Sequence, residues 1–149
     1  MNIEIKKAKQ EDLKSIQELN HKLFELEYQY FDNTLNVGWT YEKAGEDYFK
    51  DIIKNGIVLL SIVDNQIVGY LSGSISKINS ESKLDNMFII ENYRKYGIGS
   101  KLINEFKSYC LTKGIDNIKV STYAKNKNAI TFYLKNGFEE WDITLKCKL

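Results

Sequence analysis

Proline is absent from all 149 residues, so every turn must be made by Gly, Asn, Asp or Ser. Cysteine is scarce: Cys110 lies in a helix-period pattern and Cys147 in an alternating one, far apart in the chain. With a single histidine, His21, this argues against a structural zinc site and predicts two free, buried thiols in a reducing compartment. An excess of one charge is missing too. The 21 basic and 20 acidic residues leave a net charge of +1, and so no basic field that would recruit nucleic acid. No apolar run approaches the roughly 20 residues of a membrane span. Met1–Lys7 also lacks the continuous apolar core of a secretory leader. The expectation is a cytoplasmic protein with no metal, nucleic acid or membrane to bind.

What is present is an ordinary globular composition, 43% hydrophobic and 28% charged. No linker, repeat or low-complexity tract divides it, so residues 1–149 are expected to form one domain. Ile3–Ala8 alternates as a strand. Leu13, Ile16, Leu19, Leu23, Leu26 and Tyr30 recur at helical spacing, with His21 off that stripe and expected in solvent. A loop over Asp32–Trp39 leads to a second helix, Tyr41–Asn55. Ile57–Val63 and Ile67–Ile75 form a hairpin around Asp64-Asn65-Gln66, and Lys83–Ile90 is a further strand. Ile98, Leu102, Ile103, Phe106 and Cys110 mark the core stripe of a third helix. Ile118–Tyr123 is a strand, Ala129–Lys135 a short helix, and Trp141–Leu149 a last strand with one apolar face. The order β-α-α-β-β-β-α-β-α-β predicts an α/β fold of mixed sheet and flanking helices. The closing strand is also placed to pair across a homodimer interface.

The segment Arg94-Lys95-Tyr96-Gly97-Ile98-Gly99-Ser100 joins the strand ending at Ile90 to the third helix. Two glycines allow close backbone approach, and amides at a helix start suit an anion such as pyrophosphate. A dinucleotide-binding turn would need a third glycine where Leu102 stands, and no G-x-x-x-x-G-K-[ST] string exists. About thirty residues later comes Asn126-Lys127-Asn128-Ala129-Ile130-Thr131-Phe132-Tyr133-Leu134-Lys135-Asn136-Gly137-Phe138.

With both strings in place, the sequence resembles the GNAT superfamily of N-acetyltransferases. The R/Q-x-x-G-x-G/A signature matches at Arg94, Gly97 and Gly99. The N-x-x-A-x-x-F-Y-x-x-x-G-F signature matches at Asn126, Ala129, Phe132, Tyr133, Gly137 and Phe138. The resemblance covers nearly the whole chain and implies the family's mostly antiparallel, twisted sheet. It also implies acetyl-CoA as cofactor, with the pyrophosphate on the amides of Lys95, Tyr96, Gly97, Ile98, Gly99 and Ser100 and with Arg94 beside it. The pantetheine arm would run along Met87, Phe88 and Ile89, with Asn126 and Phe132 of the second motif on the same cofactor side. Tyr133 occupies the position that commonly donates a proton to the departing thiolate.

An amine must lose its proton before its lone pair can attack a thioester, and a carboxylate can take it. Leu84-Asp85-Asn86-Met87-Phe88-Ile89 looks like the polyamine-acetylating branch, which carries Glu where this chain has Asp85. Asp85 is therefore the candidate base, with Glu91 in reserve. Alternation puts Asp85, Met87 and Ile89 on one face, unless a bulge intervenes. The acceptor site in this family is built largely from the first two helices and their loop. From Glu25 to Asp51, seven acids against Lys43 and Lys50 leave −5, interleaved with aromatics. Glu27, Tyr28, Tyr30 and Trp39 are the expected acceptor-binding residues, suited to a small cationic amine such as a polyamine. The alternatives are a peptide N-terminal or lysine acetyltransferase, and a catalytically silent CoA-binding sensor.

Overall fold

The computed structural model describes residues 1–76 and 78–149. Its elements are β1 (Ile3–Lys7), α1 (Leu13–Tyr30), α2 (Lys43–Asn55), β2 (Ile57–Val63), β3 (Gln66–Ser76) and β4 (Glu81–Ile89), followed by α3 (Ile98–Thr112), β5 (Asn117–Val120) and α4 (Lys127–Lys135). A 3-10 turn over Val37–Tyr41 leads into α2. The strands lie side by side in chain order, β1 to β5. The first four are antiparallel, and β5 runs parallel to β4, a connection that needs a crossover and obtains it from α3.

Helices cover both faces, and the period-2 pleat sorts the core between them. Ile57, Leu59, Leu71 and Leu84 point to the face of α3, where they meet Ile98, Leu102, Ile103 and Phe106. Val58, Leu60, Tyr70 and Phe88 point to the other face, against Ile16 and Leu19 of α1 and Phe49, Ile52 and Ile53 of α2. Burial on both faces is why β2 reads as an unbroken apolar run. The β2–β3 turn places Asp64 and Asn65 at φ 50° and 63°, the pair of left-handed residues a tight type I′ turn demands.

The structure corrects four expectations. The last strand does not form: among the described residues, Trp141–Leu149 joins no ladder and is exposed throughout. Cys147 is therefore exposed, while Cys110 is buried as expected. Strand β5 stops at Val120 instead of continuing to Tyr123. His21 is half-buried, with Nδ1 3.1 Å from the Val37 carbonyl and Nε2 3.1 Å from Glu25, so it fixes the segment after α1 instead of lying free in solvent. Among the described residues no helix is long and apolar enough to cross a membrane.

Candidate active site

The candidate anion seat is the start of α3. Its N-cap residue is Gly97 at φ 80°, a left-handed conformation that an L side chain resists, although open space surrounds the position of a Cβ. No side chain caps this terminus, so the amides of the first turn are left for a ligand and the helix dipole favours an anion there. Lys95 is also left-handed, at φ 69°, which tightens the turn. Gly99 serves another purpose. A Cβ there would lie 2.9 Å from the Phe132 ring and 3.4 Å from Ile89, so its absence lets α4 close on α3. Arg94 is anchored: its Nε donates to the Ile89 carbonyl at 2.8 Å, and its guanidinium lies 5.2 Å from the Phe88 ring centre. Between α1 and the end of β4 runs a groove of about 500 Å³, lined by Lys22, Leu26, Tyr30, Phe88, Ile90 and Arg94.

Pairing between β4 and β5 ends at Leu84 and Val120, so Met87, Phe88 and Ile89 have β3 on one side and no strand on the other. This open edge is where an extended ligand arm could hydrogen-bond. The register of β4 against β3 shifts at the same place. Ser72 faces Asn86 and Gly73 faces Leu84, leaving Asp85 as the extra residue of a bulge. The bulge reverses the alternation. Met87 and Ile89 pack toward α3, whereas Asp85 turns to the opposite face and accepts a hydrogen bond from Tyr48 of α2 at 2.9 Å. The expected shared face for these three residues is thus not observed.

Asn126 caps α4 through its side-chain oxygen, which accepts from the Ala129 amide at 3.1 Å, leaving its NH₂ group for other partners. Phe132 and Tyr133 follow in that helix. Tyr133 packs edge-on between Phe132 and Phe138, with ring centres 5.3 and 5.4 Å away. Burial, then the negative charge of Glu27, pushes its hydroxyl up to about 12, so the phenol stays protonated at neutral pH.

Glu27, near the end of α1, is half-buried. Its charge bears on Tyr70, Tyr123 and Tyr133 alike. Among the described residues its carboxylate has no hydrogen-bond partner, and burial followed by the charge of Asp32 pushes it up to about 7. Asp32 is held below the usual carboxylate range by two hydrogen bonds from Thr34, with Lys146 and Tyr123 adding smaller effects. Tyr123 lies 3.5 Å from Asp32 and its ring stacks on Phe31 at 5.6 Å. Asp85 is raised by burial, against the opposing hydrogen bond from Tyr48, and Tyr48 itself is raised by burial and the Asp85 charge. Trp39 packs among Phe24, Tyr48 and Phe49, at 5.8, 5.5 and 6.0 Å. Tyr28 and Tyr30 are exposed on the rim. Of the four expected acceptor residues, Glu27 and Trp39 are therefore half-buried and packed, while the two tyrosines face solvent. Tyr48, Tyr123 and Asp32 join the site without having been singled out from sequence; only the mixed acidic and aromatic composition of residues 25–51 hinted at the first and last.

The family model for the acetyltransferase (GNAT) family matches residues 10–138. The chain belongs to this family. Its catalytic class is thereby fixed as acetyltransferase, and its sheet and flanking helices are those of the GNAT fold. It is 29% identical over 142 residues to N-alpha-acetyltransferase 50 of Danio rerio, covering 92% of this chain and 74% of the relative. It is 24% identical over 149 residues to spermidine N(1)-acetyltransferase of Thermoplasma acidophilum, covering 95% and 91%. The crystal structure of a PaiA N-acetyltransferase from Thermoplasma acidophilum in complex with coenzyme A superposes with a TM-score of 0.83 at 24% identity, covering 97% of this chain and 94% of that one.

Proposed function

We propose that this GNAT enzyme transfers the acetyl group of acetyl-CoA to a primary amine of a small, multiply charged cation such as a polyamine. The residues present suit acetyl-CoA. The uncapped start of α3 offers amides to the pyrophosphate, Arg94 adds charge, and the open edge of Met87–Ile89 offers backbone groups to the pantetheine amides. When bound, acetyl-CoA supplies an electrophilic thioester carbonyl and a thiolate leaving group.

One observation carries the acceptor class. Glu27 and Asp32 are two carboxylates close enough for the charge of one to raise the pKa of the other, and the half-buried Glu27 has no hydrogen-bond partner among the described residues. Such an arrangement costs stability until a cation enters. Asp85 and Tyr48 extend the acidic lining on the α2 side. A diamine or polyamine can place one ammonium against Glu27 and Asp32 while its other nitrogen is acetylated. A peptide N-terminus brings one charge and then a neutral backbone that needs a groove of its own.

In the chemistry that follows, a carboxylate takes the proton of the reacting ammonium, and the amine attacks the carbonyl directly, both reactants being bound together. Tyr133, kept protonated, donates to the leaving sulfur. Of the two protons the ammonium loses on becoming an amide, one replaces the proton given by Tyr133 and one reaches solvent. Asp85 is the proposed base. A second reading gives that task to Glu27, because it is unpaired and titrates near neutral pH, where a base is most effective. A cytoplasmic setting, where acetyl-CoA is available, and a homodimer belong to the same proposal.

The test is thiol release from acetyl-CoA with spermidine, putrescine and a neutral-sequence peptide bearing a free N-terminus. The expected result is faster turnover with the polyamines. A peptide acetylated far faster than either overturns the acceptor class, and absence of turnover with all three favours a silent CoA sensor.

A further inference from the structure

The carboxyl of Asp85 hangs from the one residue of β4 that has no partner in the β3 ladder, because Asn86 pairs with Ser72 and Leu84 with Gly73. A bulged residue has no cross-strand neighbour to set the direction of its side chain, so another element must do so. Asp85 is also the residue at which β4 leaves β5, since their pairing ends at Leu84 and Val120. It therefore stands beside the open edge Met87–Ile89, where the direction of a carboxyl matters most.

What reaches it is Tyr48 of α2, whose hydroxyl donates to Asp85 Oδ2 at 2.9 Å. The donor is itself fixed. Its ring lies edge-on to Phe49 at 4.9 Å and 5.5 Å from Trp39. One turn earlier, Gly45 carries no Cβ where one would lie 2.0 Å from the Trp39 carbonyl oxygen, so the start of α2 is pressed against the Val37–Tyr41 turn. We propose that Tyr48 is a positioning residue of the acetyl transfer, holding the Asp85 carboxyl by Oδ2 so that Oδ1 is presented to the reacting ammonium.

This role rests on the proposed assignment of Asp85 as the base. A carboxylate that accepts one fixed hydrogen bond cannot swing freely away from the open edge, and it keeps one oxygen with vacant lone pairs. The same bond stabilises the charged form, which is the form that can take a proton. The groups that face Asp85 are Tyr48 on α2, Tyr70 and Ser74 on β3, and Lys83 on its own strand. Burial pushes the carboxyl up, and the Tyr48 hydroxyl is the largest influence against it, ahead of Lys83 and Ser74. Tyr48 keeps its own proton, because burial and then the Asp85 charge push the phenol up. A proton taken from the ammonium therefore stays on Asp85 until solvent removes it, and Tyr48 gives none to the reaction.

The test compares the wild type with Tyr48→Phe, which keeps the ring and removes the hydroxyl. In the intact chain the Asp85 carboxyl is titrated by carbon NMR, and kcat/KM for the fastest of the three acceptors is followed against pH. Losing the donor leaves burial less opposed, so Asp85 should titrate at higher pH in the variant. The acidic limb of kcat/KM should move up with it, and kcat on the plateau should fall roughly 10- to 100-fold. In an Asp85→Asn background the same substitution should change kcat by less than about two-fold, because nothing is left to position. An Asp85 titration that is the same in both proteins overturns the proposal, and so does a further loss of about tenfold in the Asp85→Asn background. The wild type alone supplies a check that needs no variant. Its Tyr48 ring carbon bearing the hydroxyl should shift through the Asp85 titration, and a flat response overturns the contact. The base assignment fails separately, if Asp85→Asn keeps the acidic limb while the NMR titration still shows Tyr48 governing Asp85. Tyr48 then holds a carboxyl that is not the base, and its part in the transfer is overturned with that assignment.

Discussion

In the proposed cofactor seat at the start of α3, the groups that would face a pyrophosphate are backbone amides of consecutive residues, from Lys95 to Ser100. In the proposed acceptor mouth the groups are side chains from distant segments: Glu27 and Asp32 at the end of α1, Tyr48 on α2, Asp85 on β4 and Tyr123 beyond β5. The first half depends on backbone conformation, with glycine required at φ 80° in Gly97 and for clearance at Gly99. The second depends on packing and charge, so single substitutions there can alter acceptor choice without touching the cofactor seat. A fold can in this way keep one reactant constant and vary the other.

Tyr133 sits where the two halves meet, and its removal is the strongest test of their independence. Tyr133→Phe should lower kcat by about 10²- to 10³-fold, the usual contribution of one positioned acid. CoA affinity, measured by calorimetry, should stay within a few-fold, because the ring packing against Phe132 and Phe138 is preserved. A parallel loss of CoA binding would mean that the halves cannot be separated.

Gly99→Ala attacks the other half. The added methyl would sit 2.9 to 3.0 Å from the Phe132 ring, so the ring or α4 must shift. Urea unfolding should show a loss of about 1–3 kcal/mol, the range for overpacking a tight site. CoA binding should weaken, while the rank order of acceptor amines remains that of the wild type. A changed rank order would break the division between cofactor and acceptor halves.

The same division explains what could be read from the chain. The glycine turn into α3, the hairpin at Asp64-Asn65 and the short helix over Ala129–Lys135 are local, each determined by a few adjacent residues, and sequence periodicity with the two motifs reached them. The bulge at Asp85 could be allowed for but not located, because one extra residue leaves the alternation Leu84 to Ile89 looking continuous, while in space it turns Asp85 away from Met87. The Tyr48–Asp85 and Tyr123–Asp32 contacts join residues 37 and 91 apart, and nothing local encodes such meetings. The final strand failed for a different reason. Alternation in Trp141–Leu149 is a property of the segment, but a ladder is a property of two, and among the described residues no strand lies beside it.

Glu27 provides the smallest and most discriminating effect. Its folded pKa, about 7 against an ordinary 4.5, means that the folded state binds more protons than the unfolded state between those values. Stability contributed by this group is therefore present below pH 4.5, falls as pH rises toward 7, and stays reduced above it. Glu27→Gln removes the buried charge, so it should melt a few degrees above the wild type at pH 8, with the gap closing as pH falls through that window. The charge of Asp32 adds to the rise that burial causes. Kinetics then divides the two proposed bases. If Glu27 takes the amine proton, its substitution also removes the acidic limb of kcat/KM near pH 7, and Asp85→Asn leaves that limb in place. If Asp85→Asn removes the limb while Glu27→Gln keeps it and only raises KM, Asp85 is the base and Glu27 holds the distal ammonium.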